Sequence, residues 1–504
     1  MDSILLCLDS GTTAVKAAAF DRHGRLLGTV ERENRALRRD GPNVEQDMEI
    51  TRDDALAVLR ACAVQAGGTV GGIVVAGQGD GLWPVDVAGQ PVGRAFTWLD
   101  GRSRPIIAEL DGAGALERIR AITGSRPTAA SQSVQLLWLA RNDPSRLDRI
   151  AHALRLKEWL FLSLTGSLLG EPGAALPVWG DWRTGTVRDD VAGLLNLPRG
   201  SELLPDFLPV GECRAALSGR AAEATGLLSG TPVLLGPGDV QATLIGLGLG
   251  IRASVTRASI FGTSAIHACH TRDPSALPEQ PGGAMIQQFV LGDGYLCFHP
   301  SFNGASFLQH VRRMFAGVPE TVEPSYSSLL FHPFFEAGGE RAPFTDPDAA
   351  GAAVGLTAVT RPEQIAWAAR EALAFVARKS HDMMNAPAGA LSMGGGLAAD
   401  TNFARFLATV TRSPVKRPPS GHAGLRGLAA IGAKFFYGES DAALAERWIG
   451  AAAEVVQPQS GEVADYADGK FALFSQLADS VSPAWADMSR IRDSAEGLMG
   501  SRGT

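Results

Sequence analysis

The chain has 504 residues, a length that allows two large domains, each with its own hydrophobic core. Its hydrophobic content of 45% and charged content of 20% are typical of a globular protein. The net charge of −7 argues against a nucleic acid or an anionic membrane surface as a general partner.

The cysteine and hydropathy patterns predict a cytoplasmic protein. The five cysteines are odd in number and form no Cys-x-x-Cys pair, which favours buried free thiols over disulfides. The first residues lack a basic segment followed by an apolar run, and no apolar stretch is long enough to span a bilayer. We therefore expect no membrane partner.

The first predicted element is a β-hairpin. An apolar run over residues 4–8 indicates a buried strand, turn formers occupy residues 9–13, and a second apolar run covers residues 15–20. The turn offers small side chains, hydroxyls and backbone N–H groups that can approach phosphate oxygens closely. Lys16 adds a positive charge, although on a strand it can equally point to solvent. Taken alone, this segment is equally compatible with an ordinary tight hairpin.

A second segment of the same kind covers residues 254–267, with Gly262-Thr263-Ser264 between two apolar runs. Two such units far apart in one chain predict two similar halves, each presenting a phosphate-binding hairpin to a shared cleft. This pattern resembles the duplicated ribonuclease-H-like α/β fold of sugar kinases, actin and the Hsp70 ATPases.

Between the first hairpin and residue 81 the chain places polar groups after a buried strand. Residues 43–48 are interpreted as an irregular loop, and Thr51 as the cap of the helix that follows. The strand over residues 73–76 runs into Gly77-Gln78-Gly79-Asp80-Gly81, where glycines leave room for a small ligand. Gln78 and Asp80 suit the hydroxyls of a neutral polyol. The alternative is a glycine-rich hairpin with a solvated Asp80.

Two further aspartates follow turns or strands. Asp100 can cap a helix and pair with Arg102, or bind a substrate hydroxyl. Asp239 follows a strand over residues 233–235 and a sharp Gly-Pro-Gly turn, so it is either a helix cap or a general base. The small residues after Asp239 permit close helix packing, near a hinge expected at residues 246–250.

The second half carries three consecutive glycines after a strand over residues 390–393. They satisfy the loose pattern G-x-G-x-x-A, but no clear ribose-binding acid follows about 20 residues on. A nucleotide resting against bare backbone at a helix start explains them better. Glu340 and Arg341 lie in a loop that either stabilises a domain junction or lines a cleft. His267, His270 and His299 lack a metal-ligand spacing and are interpreted as packing or surface residues.

Together, these segments resemble the FGGY carbohydrate kinases over nearly the whole chain. The motifs that carry the resemblance are LDSGTTAVK, GQGDG, WLDGR, PGDVQATLIGLG, FGTS, GERAPFTDP and SMGGG. The chain departs from two family signatures: Gln132 and Gln135 replace Pro and Lys, and Arg370 replaces the apolar residue that usually precedes the acid Glu371. These departures concern packing more than chemistry, and they argue against a mainstream xylulokinase or glycerol kinase.

The resemblance implies ATP-dependent phosphorylation of a sugar or polyol hydroxyl, with domain closure excluding water. It implies an N-terminal domain over residues 1–247, a nucleotide-binding domain over 248–485 and a tail over 486–504, with a homodimer as a further expectation. Asp239 matches the catalytic base, and Asp9 together with Asp239 would hold Mg²⁺. The implied substrate-binding residues are Gln78, Gly79, Asp80, Asp100 and Val240. The implied nucleotide-binding residues are Gly11, Thr12, Thr13, Lys16, Gly262, Thr263, Gly304, Gly395, Gly396 and Asp400.

Within the family, GQGDG together with NVEQD, KEWL and GDWRTGT is most similar to erythritol kinases. L-xylulose-type kinases share GQGDG, so a ketopentose remains the alternative substrate. No cluster of Lys or Arg occurs in the sequence near this loop, which argues against a phosphorylated substrate. Two other functions stay open: a non-catalytic ATP-binding regulator on the same fold, and an NAD-dependent oxidoreductase based only on residues 394–399. An Hsp70-like chaperone is disfavoured, because no room for a substrate-binding domain is expected after about residue 480.

Overall fold

The computed structural model describes residues 3–278, 283–336, 339–418, 421–450 and 454–500. These residues form two compact units that alternate along the sequence. The first unit takes its described residues from Met1–Arg252, Ile286–Leu296 and His422–Gly450, and the second takes them from Ala253–Met285, Cys297–Gly421 and Ala451–Thr504. The domain boundary expected after residue 247 remains a prediction.

The first unit is built on a six-stranded sheet. Its strands are β1 (Ile4–Ser10), β2 (Ala14–Phe20), β3 (Leu26–Glu33), β4 (Val70–Gly77), β5 (Arg214–Ala216) and β6 (Pro232–Gly238). Their order across the sheet is β5-β6-β4-β1-β2-β3. β1 pairs antiparallel with β2 and parallel with β4, and β4 pairs parallel with β6. The carboxyl ends of β1, β4 and β6 therefore meet at one edge of the sheet.

Helices and short strands surround this sheet. The helices are Met48–Ala66, Arg104–Gly112, Ala115–Thr123, Gln132–Asn142, Pro144–Arg149, Leu156–Thr165, Pro172–Trp179, Asp189–Leu194, Ser201–Leu203, Gly219–Thr225, Asp239–Gly246, Ala423–Tyr437, Asp441–Ala443 and Leu444–Trp448. The short strands are Leu37–Asp40, Asn43–Gln46, Trp83–Val85, Ala95–Phe96, His152–Leu154, Gly180–Asp181 and Thr186–Val187. Apolar residues of the helices Met48–Ala66 and Leu156–Thr165 pack on one face of the sheet and form its core there.

The helix that begins with Asp239 packs directly on the helix Ala423–Tyr437. A Cβ at Gly246 would overlap the carbonyl oxygen of Ala423, and a Cβ at Gly427 would overlap that of Ala242. Only glycine allows the two backbones to approach this closely. The close packing expected from the small residues after Asp239 is therefore confirmed, and it fixes the direction of the helix that carries Asp239.

The second sheet has seven strands. They are β7 (Val255–Phe261), β8 (Ala265–Thr271), β9 (Met285–Gln288), β10 (Tyr295–Ser301), β11 (Ala390–Gly394), β12 (Val415–Arg417) and β13 (Glu454–Val456), in the order β9-β10-β8-β7-β11-β12-β13. β7 pairs antiparallel with β8 and parallel with β11, and β11 pairs parallel with β12. A hairpin followed by two parallel neighbours thus occurs in both sheets, and this confirms the duplicated ribonuclease-H-like α/β fold.

The second unit has a helical layer of its own. Its helices are Pro274–Ala276, Ala305–Met314, Pro362–Met383, Gly396–Ala399, Thr401–Thr411, Glu462–Val481, Ser482–Ala484 and Trp485–Gly500, and its short strands are Leu330–His332 and Ala352–Val354. The last helix covers most of the expected tail, whereas residues 501–504 lie outside the described residues. Within the described ranges, no helix combines the length and the apolar character that crossing a membrane requires.

Two local expectations were wrong and one is confirmed. Residues 43–48 contain the strand Asn43–Gln46, which pairs with Leu37–Asp40 and so satisfies its backbone groups. The next helix begins at Met48 and is capped by Asp47, whose Oδ1 accepts from the N–H of Ile50 at 3.0 Å; Thr51 lies inside the helix. All five cysteines are free and buried, as the sequence predicts.

Candidate active site

Three predicted site residues lie at the carboxyl ends of three neighbouring strands of the first sheet. Asp9 is the penultimate residue of β1, Gln78 follows β4, and Asp239 follows β6. The register pairs Asp9 with Ala76 and Gly77 with Gly238, so these ends are level with one another. Ligands of α/β sheets bind at such carboxyl ends. The structure therefore brings together residues for which the sequence predicts catalytic, metal and substrate roles.

Backbone contacts hold the Asp239 carboxylate in place. The N–H of Val240 donates to its Oδ1 at 2.8 Å, and the N–H of Gly79 also stabilises the ionised form. The turns after β4 and β6 pack closely, since a Cβ at Gly238 would lie 3.2 Å from the Cα of Gly79. Glycine at these positions keeps Asp239 beside the GQGDG loop.

Asp9 and Asp239 both have raised pKa values. Burial raises the pKa of Asp239 to about 7, and the nearby charge of Asp9 raises it as well. Burial also raises the pKa of Asp9 to about 6, with Lys16 acting in the opposite direction. Near neutral pH, Asp239 is therefore able both to accept and to release a proton.

The carboxylate pair also fits a hard cation. The buried Oδ1 of Asp9 has no hydrogen-bond partner among the described residues, and a second carboxylate lies nearby. A divalent cation such as Mg²⁺ binds one or two carboxylates, completes its shell with water and phosphate oxygens, and would relieve this repulsion. The described residues contain no group of three or more His, Cys, Asp or Glu side chains arranged to hold a metal ion. A two-carboxylate Mg²⁺ site does not require such a group.

Gln78 is buried and held by a chain of side-chain amides. Its Nε2 donates to Oε1 of Gln46 at 3.3 Å, and Gln46 Nε2 donates to Oγ1 of Thr51 at 3.0 Å. The Oε1 of Gln78 has no partner in the described part of the chain. The sequence analysis gave Gln46 no role, although NVEQD, the motif that contains it, was part of the family resemblance. Asp80 accepts from the N–H of Gly81 at 2.9 Å.

Asp100 uses both of its carboxylate oxygens in hydrogen bonds to nearby residues. Its Oδ2 accepts from the N–H of Val44 and from Arg102 Nη2, both at 2.8 Å, while its Oδ1 accepts from Arg102 Nε at 2.9 Å. Arg102 also donates to Glu45 at 2.7 Å. Both carboxylate oxygens of the buried Asp100 are thus occupied. These contacts support the ion-pair interpretation of Asp100 over direct contact with a substrate.

The first hairpin turn is closed and braced. The N–H of Gly11 donates to the carbonyl of Ala14 at 3.0 Å, and Trp98 Nε1 donates to Thr12 Oγ1 at 2.7 Å. Trp98 belongs to the WLDGR motif, but its contact with the hairpin could not be predicted from the sequence. Lys16 pairs with Asp9 in the strand register, and its Nζ forms an ion pair with Glu31 at 3.3 Å.

In the second unit, the predicted nucleotide-binding glycines also converge. A Cβ at Gly304 would overlap the carbonyl oxygen of Gly262, and a Cβ at Gly395 would overlap that of Phe261. Gly395 has a φ of +83°, a conformation that side chains other than glycine rarely adopt. The N–H of Ala305 donates to the carbonyl of Gly262 at 2.7 Å. Three segments far apart in sequence thus present bare backbone together.

A cavity of about 150 Å³ lies beside these glycines, lined by residues that include Ala305, Leu308, Arg370 and Leu397. Asp400 caps the helix Thr401–Thr411, because its Oδ1 accepts from the N–H of Phe403 at 2.9 Å. Its Oδ2 accepts from Arg370 Nε at 2.8 Å. Arg370, where the chain departs from the family pattern, is therefore paired with Asp400.

Comparison with known proteins identifies the class to which this architecture belongs. Residues 4–246 match the FGGY family of carbohydrate kinases, N-terminal domain, and residues 258–435 match the C-terminal domain of the same family. The chain therefore belongs to the FGGY family of carbohydrate kinases, which are ATP-dependent enzymes. The family resemblance predicted from the sequence is confirmed, and so is the expectation of a carbohydrate kinase.

Three similar proteins are named for different substrates. The chain is 27% identical to an erythritol kinase of Brucella abortus (strain 2308), over 96% of this chain and 97% of that protein. It is 28% identical to a xylulose kinase of Streptomyces rubiginosus, over 90% of this chain and 92% of that protein. The solved structure of gluconate kinase from Lactobacillus acidophilus matches with a TM-score of 0.87 and 20% identity, over 97% of this chain and 100% of that one. At this identity, the last match shows the fold alone.

Proposed function

We propose that this carbohydrate kinase phosphorylates a small neutral polyol, with erythritol as the best candidate. The observation that carries the proposal is the convergence of Asp9, Gln78 and Asp239 at the ends of three parallel strands. This arrangement supplies one half-buried base and one buried amide beside a glycine-rich loop. A small molecule rich in hydroxyls suits that combination.

In this proposal Asp239 is the general base. The substrate hydroxyl oxygen attacks the γ-phosphorus of ATP, and its proton passes to the Asp239 carboxylate. The bond between the γ-phosphorus and the bridging oxygen breaks, and ADP leaves with that oxygen. A pKa of about 7 supports this role, because a base with a pKa near the working pH transfers protons most effectively.

Asp9 and Asp239 are the proposed Mg²⁺ ligands. The unpartnered Oδ1 of Asp9 supports this assignment, as does the repulsion between the two acids. When bound, Mg²⁺ supplies charge neutralisation at the phosphate oxygens. Lys16 contributes positive charge on the neighbouring strand, although its ion pair with Glu31 makes direct phosphate contact a secondary role.

The proposed substrate ligands are Gln78, Gly79, Asp80 and Val240. The free Oε1 of Gln78 can accept from a substrate hydroxyl, and its amide is held in place by Gln46. Asp100 acts indirectly in this proposal, since it anchors the turn that carries Trp98.

The nucleotide is proposed to bind backbone groups. Gly11, Thr12 and Thr13 of the first hairpin and Gly262 and Thr263 of the second would contact phosphates through N–H groups and hydroxyls. The bare backbone at Gly304, Gly395 and Gly396 supports an adenosine site beside the cavity that contains Leu308 and Leu397. Asp400 would shape the adenosine site through its ion pair with Arg370 rather than by direct contact with the nucleotide.

Substrate identity rests on relatives as well as on the site. The similarity to an erythritol kinase over 96% of the chain supports a tetritol. The similar identity to a xylulose kinase keeps a ketopentose as the alternative substrate. A non-catalytic ATP-binding regulator is the remaining alternative, and the raised pKa values of the paired acids Asp9 and Asp239 argue against it.

A coupled ADP-release assay with Mg-ATP tests the proposal. The panel contains erythritol, threitol, glycerol, ribitol, xylitol, D-xylulose, L-xylulose and L-ribulose. We expect the highest kcat/KM for erythritol. Preference for a ketopentose would retain the mechanism and change the substrate. If ATP binds but no compound stimulates ADP release, the polyol kinase proposal is wrong and the regulator becomes the better hypothesis.

A further inference from the structure

A fully buried guanidinium without hydrogen bonds lies in the first unit. Arg155 has an exposed fraction of 0%, and its Nε, Nη1 and Nη2 have no hydrogen-bond partner among the described residues. Its ion pair with Glu158 Oε1 spans 3.9 Å, which is beyond hydrogen-bond distance. Buried donors left unsatisfied are costly, so a guanidinium with five of them indicates an acceptor that is not part of the chain.

The backbone directs Arg155 away from the sheet core. Arg155 is extended, with φ −104° and ψ 169°, and it follows the strand His152–Leu154. Leu154 and Leu156 pack in the core on the first sheet, whereas Ala153 packs in the neighbouring core that contains Trp179. Because side chains alternate along an extended segment, Arg155 points to the same side as Ala153.

This side of the strand adjoins the proposed substrate loop. The strand His152–Leu154 pairs with Trp83–Val85, which begins two residues after the GQGDG loop. Leu82, which directly follows the loop, packs in the same core as Ala153. Arg155 therefore points to the same side as the core that contains the residue following this loop, although Gln78 and Arg155 are 77 positions apart in sequence.

Further unpartnered polar atoms lie on a helix that is hydrogen-bonded to the strand before Arg155. Ser133 Oγ and Gln135 Oε1 are buried and have no partner in the described part of the chain, as is also true of Gln78 Oε1. The helix that carries Ser133 and Gln135 is tied to the Arg155 strand, because Gln132 Nε2 donates to the carbonyls of Ala153 and Leu154. Donors and acceptors on hydrogen-bonded segments thus remain unsatisfied together, which is the composition expected of a site for hydroxyl groups.

The local charge favours a neutral ligand. Arg155 and Lys157 are balanced by Glu158 and Glu171, and Lys157 Nζ lies 3.0 Å from Glu171 Oε1. All four side chains are buried. Since the cluster is already neutral, Arg155 needs a hydrogen-bond acceptor more than a counter-charge. A carboxylate or phosphate would leave one negative charge uncompensated in a buried site.

We propose that Arg155 donates hydrogen bonds to a hydroxyl oxygen of the polyol, at the end remote from the hydroxyl that attacks ATP. The inference rests on the proposed function and names a specificity-determining residue for it. A site built to bond a hydroxyl strongly rejects an analogue that lacks it, because the buried donors are then left unpaired. Arg155 accordingly selects substrates by the presence of this terminal hydroxyl.

The test compares erythritol with butane-1,2,3-triol, which lacks one terminal hydroxyl, in the full-length enzyme with Mg-ATP. We expect the wild type to prefer erythritol by about 10⁴-fold in kcat/KM. Arg155→Met should reduce this preference at least about 10-fold, through the KM for erythritol and with the KM for ATP unchanged. Arg155→Lys keeps the charge and should restore part of the preference.

Arg146→Met is the matched control. Arg146 is also largely buried, but it donates to the backbone carbonyls of Val92 and Arg94. This variant should keep the wild-type preference for erythritol even if its melting temperature falls. Should the natural substrate be a ketopentose, the corresponding 1-deoxy sugar replaces the triol.

Two results would overturn the inference alone: equal kcat/KM for both compounds in the wild type, or an unchanged preference in Arg155→Met. Either would mean that buried water satisfies the guanidinium. If Arg155→Met does not fold, the ratio of kcat/KM for the two compounds in the wild type and in Arg155→Lys still tests the inference. Absence of phosphorylation of every polyol and ketose would instead overturn the proposed function, and the inference with it.

Discussion

The two sheets share a topology but differ in the side chains at their strand ends. In the first sheet, the central hairpin strand carries Asp9 two residues before Gly11, whereas the second sheet has Ile260 two residues before Gly262. The strand parallel to the hairpin is followed by Gln78 in the first sheet and by Gly395 in the second. The backbone frame is therefore the same, while the chemistry at equivalent places is not.

This difference suggests how the duplicated fold divides its work. Acids and amides at the strand ends of the first unit provide proton transfer, cation binding and hydroxyl recognition in the proposed mechanism. Glycines at the corresponding ends of the second unit bring three turns into contact. Substitutions in the first unit should therefore change catalysis, and those in the second unit should change stability and nucleotide binding.

Asp239→Asn should have the largest effect. Asn retains the shape and the bond from the N–H of Val240 but cannot accept a proton at neutral pH, so kcat should fall about 10³-fold. Steady-state kinetics measure the loss, and calorimetry with ATP should show retained binding. The exposed Asp53 offers a control, since Asp53→Asn should leave kcat unchanged. Near-normal turnover of Asp239→Asn would refute the assignment of the base.

Gly395→Ala should destabilise the second unit. The new methyl would overlap the carbonyl oxygen of Phe261, and alanine disfavours the φ of +83°, so a loss of about 3 kcal/mol is expected. Gly396→Ala is the comparison for stability, because no atom lies within 4 Å of its Cβ position. Chemical denaturation measures both variants. Equal stability of the two would show that the close approach at Gly395 is not required.

Asp80→Ala should have a smaller effect that is confined to the substrate side. We expect the KM for the polyol to rise about 10- to 100-fold while the KM for ATP stays constant, since one buried-site contact contributes about 1–3 kcal/mol. Substrate titrations at saturating ATP, and ATP titrations at saturating polyol, separate the two constants. Equal increases in both would move Asp80 out of the substrate pocket.

The sequence was sufficient for features that depend on local pattern. Both hairpins, the strand before Gln78 and the glycines at residues 394–396 followed from runs of apolar residues interrupted by turn formers. Contacts between distant segments could not be predicted from the sequence, because they depend on where those segments meet in the fold. The bonds from Gln46 to Gln78 and from Trp98 to Thr12 are examples.

Arg155 shows that the sequence was also insufficient to predict which charged side chains come together in the fold. The sequence contains no cluster of Lys or Arg near GQGDG, yet the strand just before Arg155 and Lys157 pairs with the strand that follows that loop. The prediction of where the helix Met48–Ala66 begins was wrong for a more local reason. The cap was predicted at Thr51 after an irregular loop, whereas the strand Asn43–Gln46 ends just before the helix and Asp47 caps it.

The pH dependence of stability provides the finest test of the contrast between the sheets. The pKa of Asp239 is raised from 3.8 to about 7, so the folded state binds this proton more tightly than the unfolded state. The resulting stabilisation is complete below pH 3.8 and is lost as the pH rises through 7. Asp239→Asn cannot ionise, so without Mg²⁺ it should gain about 1.4 kcal/mol relative to the wild type between pH 6 and pH 8.

Denaturation of both proteins in EDTA measures this difference, with Asp53→Asn expected to follow the wild type. Added Mg²⁺ should remove most of the wild-type loss at pH 8, because a cation beside Asp9 and Asp239 stabilises their ionised forms. If both proteins show the same pH profile in EDTA, the pKa of Asp239 is not raised in the folded state. If the profiles differ but Mg²⁺ has no effect, the carboxylate pair does not bind the cation in the absence of ATP.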